Sequence, residues 1–360
     1  MSNMFHRKII FPQKDHAFYH VPSIVVAPDG SILAFSEERW RSPCDDTGQC
    51  HIVMRKSMDG GKTWGKMIHL RQKEGAKYHM GSAVTDPVSQ TVLLMCGGGW
   101  LKSADNGNTW QDWNLRVYDA KGCKGVSTHG SAPGIIKRYG EHRGRILWPA
   151  RTIVSKDGYD DRSITDRREK CYSMVLYSDD SGNTIHASNY FLKGTGEACL
   201  AERINGDLYL NARAYWDDGK RYTAISTDGG AKFLETGGDD TLREISQGCN
   251  ASMVRYPPQL CDGRDILLFA NPDTNGANRE HGVVHLSEDG GGTWPIKKEI
   301  SPWGDWFDYS TMTVTQDGVI LVMYKTTPSM QGIASSPDEC CSMALARFDL
   351  KWIGLQHPLE

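Results

Sequence analysis

The sequence predicts an all-β fold: a six-bladed β-propeller of four-stranded antiparallel blades, built as one domain over residues 1–360. Three observations carry this. An octapeptide of the form S-x-D-x-G-x-T-W recurs five times, beginning at Ser57, Ser103, Ser178, Ser226 and Ser287. The copies lie roughly 45–75 residues apart, the spacing of propeller blades. Between them run strand–turn–strand segments with no long amphipathic pattern, and 38 Gly and 11 Trp suit tight turns over packed aromatic rings.

The octapeptide suits a hairpin turn. Its Asp can accept backbone N–H groups, its Gly can take a positive φ, and its Trp can pack beneath the turn. Each copy follows an apolar or alternating run, such as HIVMRKS, SMVLYS, YTAIS or GVVHLS, placing it between the third and fourth strands of a blade. The remaining strands are read from SIVVAPDGSILAFSE, TDPVSQTVLLMCGG, GRILWPAR, LAERINGDLYLNAR, DILLFANP and MTVTQDGVILVMY. Four strands per blade and six blades account for the length, since all-β propellers reach this size as one unit.

Composition excludes several classes of partner. A formal net charge of −3 with scattered Lys and Arg offers no basic stripe for nucleic acid. No run is apolar enough to span a bilayer, and Met1 to Lys14 lacks the apolar core of a secretory signal, so a native start at Met1 implies a cytoplasmic protein. Ten cysteines, at 44, 50, 96, 123, 171, 199, 249, 261, 340 and 341, show neither C-x-x-C pairs nor companion His spacing, which leaves thiols as the expectation over disulfides or a zinc site. The Asp- and Gly-rich turns lack the ligand series and terminal Glu of an EF-hand loop, so no calcium or other metal is expected.

The repeats resemble the Asp boxes (BNR repeats) of the exo-α-sialidase family, and other motifs follow the family's order. FYHVPSIVVAPDGSILAFSEER is similar to its opening Y-R-I-P and A-F-A-E-x-R strands. GTGEACLAERINGDLYLNAR is similar to the segment of its catalytic Glu and second Arg, NPDTNGANREHGVVHLSEDGG to that of its third Arg, and WFDYSTMTVTQDG to that of its nucleophilic Tyr. One tyrosine or glutamate in a strand is ordinarily a packing or solvated residue; the shared order across residues 17–325 is what carries the resemblance.

The resemblance implies a retaining exo-glycoside hydrolase, needing no metal or organic cofactor, for a terminal sialic acid or related ulosonic acid on a glycoconjugate. Tyr309 would be the nucleophile, Glu197 its base, and Asp46 the acid/base, with adjacent Asp45 exchanging for it on a one-residue shift. Tyrosine suits this substrate, because an anionic nucleophile would be repelled by the carboxylate beside the anomeric carbon, and sialidases depart in this way from the usual two-carboxylate scheme. A phenol with a pKa near ~10 then needs a carboxylate to take its proton. Arg213 and Arg279 would fork the substrate carboxylate, and Arg39 would border the sugar's 4-position.

Two positions depart from the family pattern. His20 stands where its first arginine is expected, exchanging a two-pronged contact for a single pH-sensitive one, or for a neutral residue in a remodelled pocket. His79-Met80-Gly81 replaces an Asn-Pro or Asp-Pro pair. Together they favour Kdo, Kdn or another deoxy-ulosonic acid over N-acetylneuraminic acid. A sugar-binding propeller without turnover, and a transferase using the same trio, are the rival readings.

Overall fold

Successive residues of a strand face opposite sides, and in a radial stack of blades both sides are buried, so core strands become continuous apolar runs rather than alternating ones. ILAF, VLLM and ILVMY are such runs. The computed structural model describes residues 4–43, 48–97, 99–113, 117–118, 124–128 and 132–355, and in it these runs are the second strands of their blades.

Six blades form the ring. Blade I comprises Ala17–Val26, Ile32–Trp40, Gln49–Ser57 and Ile68–Arg71, from the inner strand outward. Blade II comprises Met80–Asp86, Thr91–Cys96, Trp100–Ser103 and Gln111–Trp113. In blade III the middle strands are Ile146–Ile153 and Cys171–Ser178. Its inner strand is broken into Lys124–Ser127 and Ile135–Ile136, its outer into Ile185–Ala187 and Phe191–Lys193, and Val117–Tyr118 adds a short parallel pairing. Blade IV comprises Thr195–Glu202, Leu208–Ala214, Lys220–Ser226 and Leu234–Arg243, and blade V Ser252–Arg255, Leu267–Pro272, Glu280–Ser287 and Ile296–Trp306. Blade VI takes three strands from the end of the chain, Asp308–Val314, Ile320–Thr326 and Ser342–Phe348. Its outer strand, Phe5–Phe11, comes from the beginning, with Phe5 opposite Phe348.

This closure explains why there are five octapeptides and not six: blade VI has no hairpin between its third and fourth strands. There the chain enters a one-turn helix, Leu350–Ile353, capped by Asp349, whose side chain accepts the Trp352 N–H at 2.8 Å. Its Leu350 and Ile353 pack between blades V and VI.

The core consists of clusters between neighbouring blades. Ile32 and Ala34 pack with Leu321 and Met323 of blade VI, whereas Leu33 and Phe35 pack with Val92 and Leu94 of blade II. A one-residue slip of that strand would exchange both neighbours.

Each octapeptide forms the expected turn. Ser57 Oγ donates to Asp59 Oδ1 (2.8 Å) and accepts the Gly61 N–H (2.9 Å), while Asp59 accepts the N–H (2.8 Å) and Oγ1–H (2.6 Å) of Thr63. Equivalent Ser and Asp bonds recur at Ser103, Ser178, Ser226 and Ser287. The last residue of the box does more than sit under its own turn. Trp110 bonds the Gly107 carbonyl at 3.2 Å, yet its ring stands edge-on to Phe35 of blade I at 5.7 Å. Phe233 and Trp294 likewise enter the clusters shared with the preceding blade. The boxes therefore staple blade to blade as well as strand to strand.

One helix of two turns, Ile164–Lys170, interrupts blade III between its middle strands, capped by Ser163, whose side chain accepts the Asp166 N–H. It is too short for a periodicity signal; the S-x-x-D spacing at Ser163 and Asp166 was its readable mark. Among the described residues, no helix is long and apolar enough to cross a membrane.

Candidate active site

Inner strands begin, and second strands end, at the same mouth of the central channel, whereas the boxes close third strands and so lie at the other face. At the pocket mouth the inner strands are irregular. The pairing shifts between Asp308 and Ser310, between Thr195 and Ala198, and between His20 and Ser23, leaving Tyr309 as an extra residue and setting Gly196–Glu197 against Arg213 and Val21–Pro22 against Ser36. Such bulges bend a strand and re-aim a side chain. Tyr309 (φ 42°) and Val21 (φ 47°) adopt the left-handed region that side chains with a Cβ seldom enter, so both are strained backbones held by their surroundings. At Gly196 a Cβ would lie 2.2 Å from the Tyr215 hydroxyl, so the residue before Glu197 has to be glycine.

The bulged strand starts and the second-strand ends enclose a cavity of about 470 Å³, lined by His20, Glu37, Arg39, His79, Arg151, Asp161, Arg167, Glu197, Arg213, Tyr215, Arg279, Tyr309 and Lys325, with Val21 and Met80. Its described lining holds six Arg or Lys side chains against three carboxylates. Such a cavity favours an anion.

Tyr309, Glu197 and Arg213, from blades VI and IV, meet there. Tyr309 Oη donates to Glu197 Oε1 at 2.6 Å, and Arg213 Nη1 reaches both Tyr309 Oη (2.9 Å) and Glu197 Oε2 (2.6 Å). The Gln247 carbonyl accepts the other edge of Arg213 (3.2 and 3.0 Å). Burial by itself would raise the Glu197 pKa, but Arg213 and the Tyr309 hydrogen bond outweigh it and hold the carboxyl down at about 2. Burial and then the Glu197 carboxylate push the Tyr309 phenol well above its ordinary value. The resting pair is a neutral phenol on an ionised carboxylate.

Arg279 joins the same cavity. Its Nη1 bonds Asp308 Oδ1 at 2.7 Å, and its guanidinium lies 5.2 Å from the centre of the Tyr309 ring. Asp308 Oδ2 pairs with Lys325 Nζ at 2.7 Å, so one buried carboxylate bridges two cations. Arg39 donates Nε and Nη2 to Glu37 Oε2 (3.0 and 2.8 Å) and Nη1 to the Pro43 carbonyl (2.7 Å). Burial would raise Glu37, but Arg39 prevails and keeps it at about 2. Asp46 and its alternative Asp45 lie outside the described residues.

His20 lines the cavity but is engaged by the protein. Its Nδ1 lies 3.5 Å from Lys325 Nζ and its Nε2 3.1 Å from Cys341 Sγ. Burial, then Lys325, Arg39 and Arg279, hold its pKa well below the usual value, so the ring is neutral across the physiological range. A neutral ring that accepts from Lys325 at Nδ1 carries its proton on Nε2.

Sequence reading missed Lys325, Asp308, Glu37, Arg151, Asp161, Arg167 and Tyr215. Asp308 and Glu37 were legible as neighbours, by one or two positions, of Tyr309 and Arg39. Lys325 had only its place at the end of an apolar strand, VILVMYK. Among the described residues, two groups have metal-ligand atoms within 4.8 Å of one another, Glu37/Cys50/His79, of which Glu37 and His79 line the cavity, and Glu38/His51/His69. Spacing could not show them, because their members come from different strands and loops. In the first, Glu37 is already held by Arg39 and by the Met80 N–H (2.8 Å). In the second, Glu38 Oε2 is shared by His69 (2.7 Å) and His51 (3.4 Å). The eight described cysteines are buried thiols, as expected, with Cys44 and Cys123 outside the described residues.

Known proteins resemble the whole propeller. A sialidase of Micromonospora viridifaciens is 28% identical over an alignment covering 93% of this chain and 52% of that protein. The chain thus spans about half the length of this curated relative. The structure of the Hadza microbial sialidase Hz136 superposes with a TM-score of 0.76 at 25% identity, over 93% of this chain and 66% of that one. That of the intramolecular trans-sialidase from Ruminococcus gnavus superposes at 0.77 over 97% and 98%, and at 16% identity it speaks for the fold alone. The BNR repeat-like domain family matches residues 21–318, and with the five boxes in place the chain belongs to that sialidase-related family.

Proposed function

We propose that the chain is a retaining exo-glycosidase that hydrolyses the α-ketosidic bond of a terminal sialic or related ulosonic acid on a glycoconjugate, with Tyr309 as nucleophile. The observation that carries this reading is the contact of Tyr309 Oη with Glu197 Oε1 at 2.6 Å, with one Arg213 nitrogen touching both groups. A packing tyrosine has no need of a strained bulge, a buried carboxylate and a guanidinium at its hydroxyl.

In this reading Tyr309 Oη bonds to the anomeric carbon as the ketosidic C–O bond breaks. Its proton passes to Glu197, and the leaving oxygen takes a proton from Asp46, or from Asp45 in its place. Water then attacks the same carbon, its proton going to that aspartate, while the phenolate leaves and recovers its proton from Glu197. Two inversions retain configuration. A base held at about 2 is weak at rest, but Arg213 is shared. When the substrate carboxylate takes up part of Arg213, Glu197 loses some of that stabilisation and becomes the stronger base as attack begins.

The carboxylate seat is then Arg213, Arg279 and Lys325, not three arginines. Both ring nitrogens of His20 are spoken for, so His20 acts by holding Lys325. The loss of the expected arginine is in this way compensated from the next blade.

The test is a 3-fluoro-ulosonyl fluoride, which forms the covalent intermediate quickly and releases it slowly. Mass spectrometry of a digest should find the added sugar on the peptide containing Tyr309, and the first product of a true substrate should be the free α-anomer. Labelling elsewhere, or no turnover of any α-ketoside, refutes the reading.

A further inference from the structure

Beside the carboxylate seat, phenol and base just described, the cavity lining holds two more guanidinium groups, Arg151 and Arg167. Arg151 lies near the end of the second strand of blade III, Ile146–Ile153, and Arg167 stands on the short helix inserted after it. Arg168 anchors that helix by donating to the Tyr215 carbonyl and pairing with Asp217. The Tyr215 ring joins the two cation groups: Arg213 lies 5.2 Å and Arg167 5.5 Å from its centre, and its hydroxyl is 3.5 Å from Arg151 Nη1.

The pairing of these cations differs from that of the others. Arg213, Arg279, Arg39 and Lys325 each have a carboxylate oxygen at 2.6–2.8 Å. The carboxylate nearest Arg151 is that of Asp161, at 3.4 Å; Arg167 donates Nε to the Asp161 backbone carbonyl at 2.6 Å but comes only within 3.7 Å of its carboxylate. Asp161 is itself 54% exposed while the Arg151 side chain is 11% exposed. A largely desolvated guanidinium with a distant, hydrated counter-ion is costly unless an anion completes it.

We propose that this second cluster is a subsite for a second anionic group on the sugar, so that the substrate is an ulosonic acid bearing a carboxylate or sulfate ester at the end of the ring remote from the C1 carboxylate. The inference rests on the proposed ketosidase reading and deepens it. A neutral polyhydroxyl tail needs hydrogen-bond partners but not two cations. The planar forks of Arg151 and Arg167 match a planar or tetrahedral oxyanion in two-pronged contacts.

Calorimetry at low salt would compare a 3-deoxy-ulosonic acid with a terminal hydroxymethyl group, its counterpart oxidised there to a carboxylate, and its terminal sulfate ester. Either dianion should bind at least about tenfold more tightly than the neutral-tailed acid. That ratio should collapse towards unity in Arg151→Gln and in Arg167→Gln. The second substitution lies on a partly exposed helix and spares the core, so a folding failure at Arg151 leaves the test standing. Equal or weaker binding of both dianions, or a preference unchanged in the variants, overturns the inference. If the neutral-tailed acid and both dianions all fail to bind, the ketosidase reading falls and takes this one with it, a result distinct from tight but indifferent binding.

Discussion

On the box face each turn satisfies its own polar atoms within seven residues, Ser57 to Thr63 for instance, and the solution repeats around the ring. On the pocket face Tyr309 and Glu197 are 112 positions apart, Arg213 serves both, and the backbone of Tyr309 is strained. The first arrangement is local and redundant; the second is assembled from distant strands, single-copy and charged. Substitutions on the two faces should therefore separate stability from chemistry.

The largest effect belongs to the pocket. Glu197→Gln keeps the shape and a hydrogen bond to Tyr309 but cannot take its proton, so kcat should fall by roughly 10²–10⁴-fold with substrate affinity changed far less. Steady-state kinetics on a fluorogenic ketoside reads this directly, and a loss confined to KM would assign Glu197 to binding alone.

Lys325→Met comes next. It removes one charge-assisted contact to the substrate carboxylate, which should raise KM by about 10–100-fold and affect kcat less, with Lys325→Arg restoring most of the loss. Binding of the free acid compared with its C1 methyl ester isolates the cause: the acid's advantage should shrink in the Lys325→Met protein. If His20 were the substrate contact instead, His20→Ala would remove that advantage without any change at Lys325.

The two faces also differ in how far the sequence discloses them. A box is contiguous, so its Ser, Asp, Gly and aromatic positions are readable in one line, and five copies place five hairpins while the length supplies the sixth blade. The broken inner strand of blade III and the helix carrying Arg167 carry no repeat, and both pass unnoticed. At the site, Tyr309, Glu197, Arg213 and Arg279 are legible only through a family's order, because a lone Tyr or Arg has no local signature. Lys325 is out of reach for another reason: its meaning depends on His20, 305 residues away, being neutral and already bonded. Sequence shows a histidine where the resemblance expects an arginine; only packing shows that a lysine stands beside it.

Below these in magnitude is the steric part of a staple. Gly182 has φ +83°, and a Cβ there would lie 2.4 Å from the Trp113 ring of the neighbouring blade. Gly182→Ala should cost about 1–3 kcal/mol, from a strained left-handed alanine and an overpacked interface. Thermal melting would show a lowered Tm while kcat and KM on the folded protein stay unchanged. A catalytic defect would mean that the blade II–III interface transmits to the pocket.

The smallest effect is the single hydroxyl. Ser57 Oγ accepts the Gly61 N–H and donates to Asp59, so Ser57→Ala leaves one backbone donor and one carboxylate lone pair short, worth about 1 kcal/mol at this partly buried turn. Because the same bonds recur at Ser103, in a separate turn on the next blade, the double variant Ser57→Ala/Ser103→Ala should lose nearly the sum of the two single losses. Denaturant unfolding measures both. The two boxes are not equivalent, however, since the Gly61 turn packs on Leu345 of blade VI, where the first and last strands close the ring, while the Gly107 turn packs on Leu33 of blade I, within continuous chain. A larger loss at Ser57 than at Ser103 would place the weakest seam of the propeller at its closure; equal losses would mean that the Phe5–Phe11 strand carries the closure by itself.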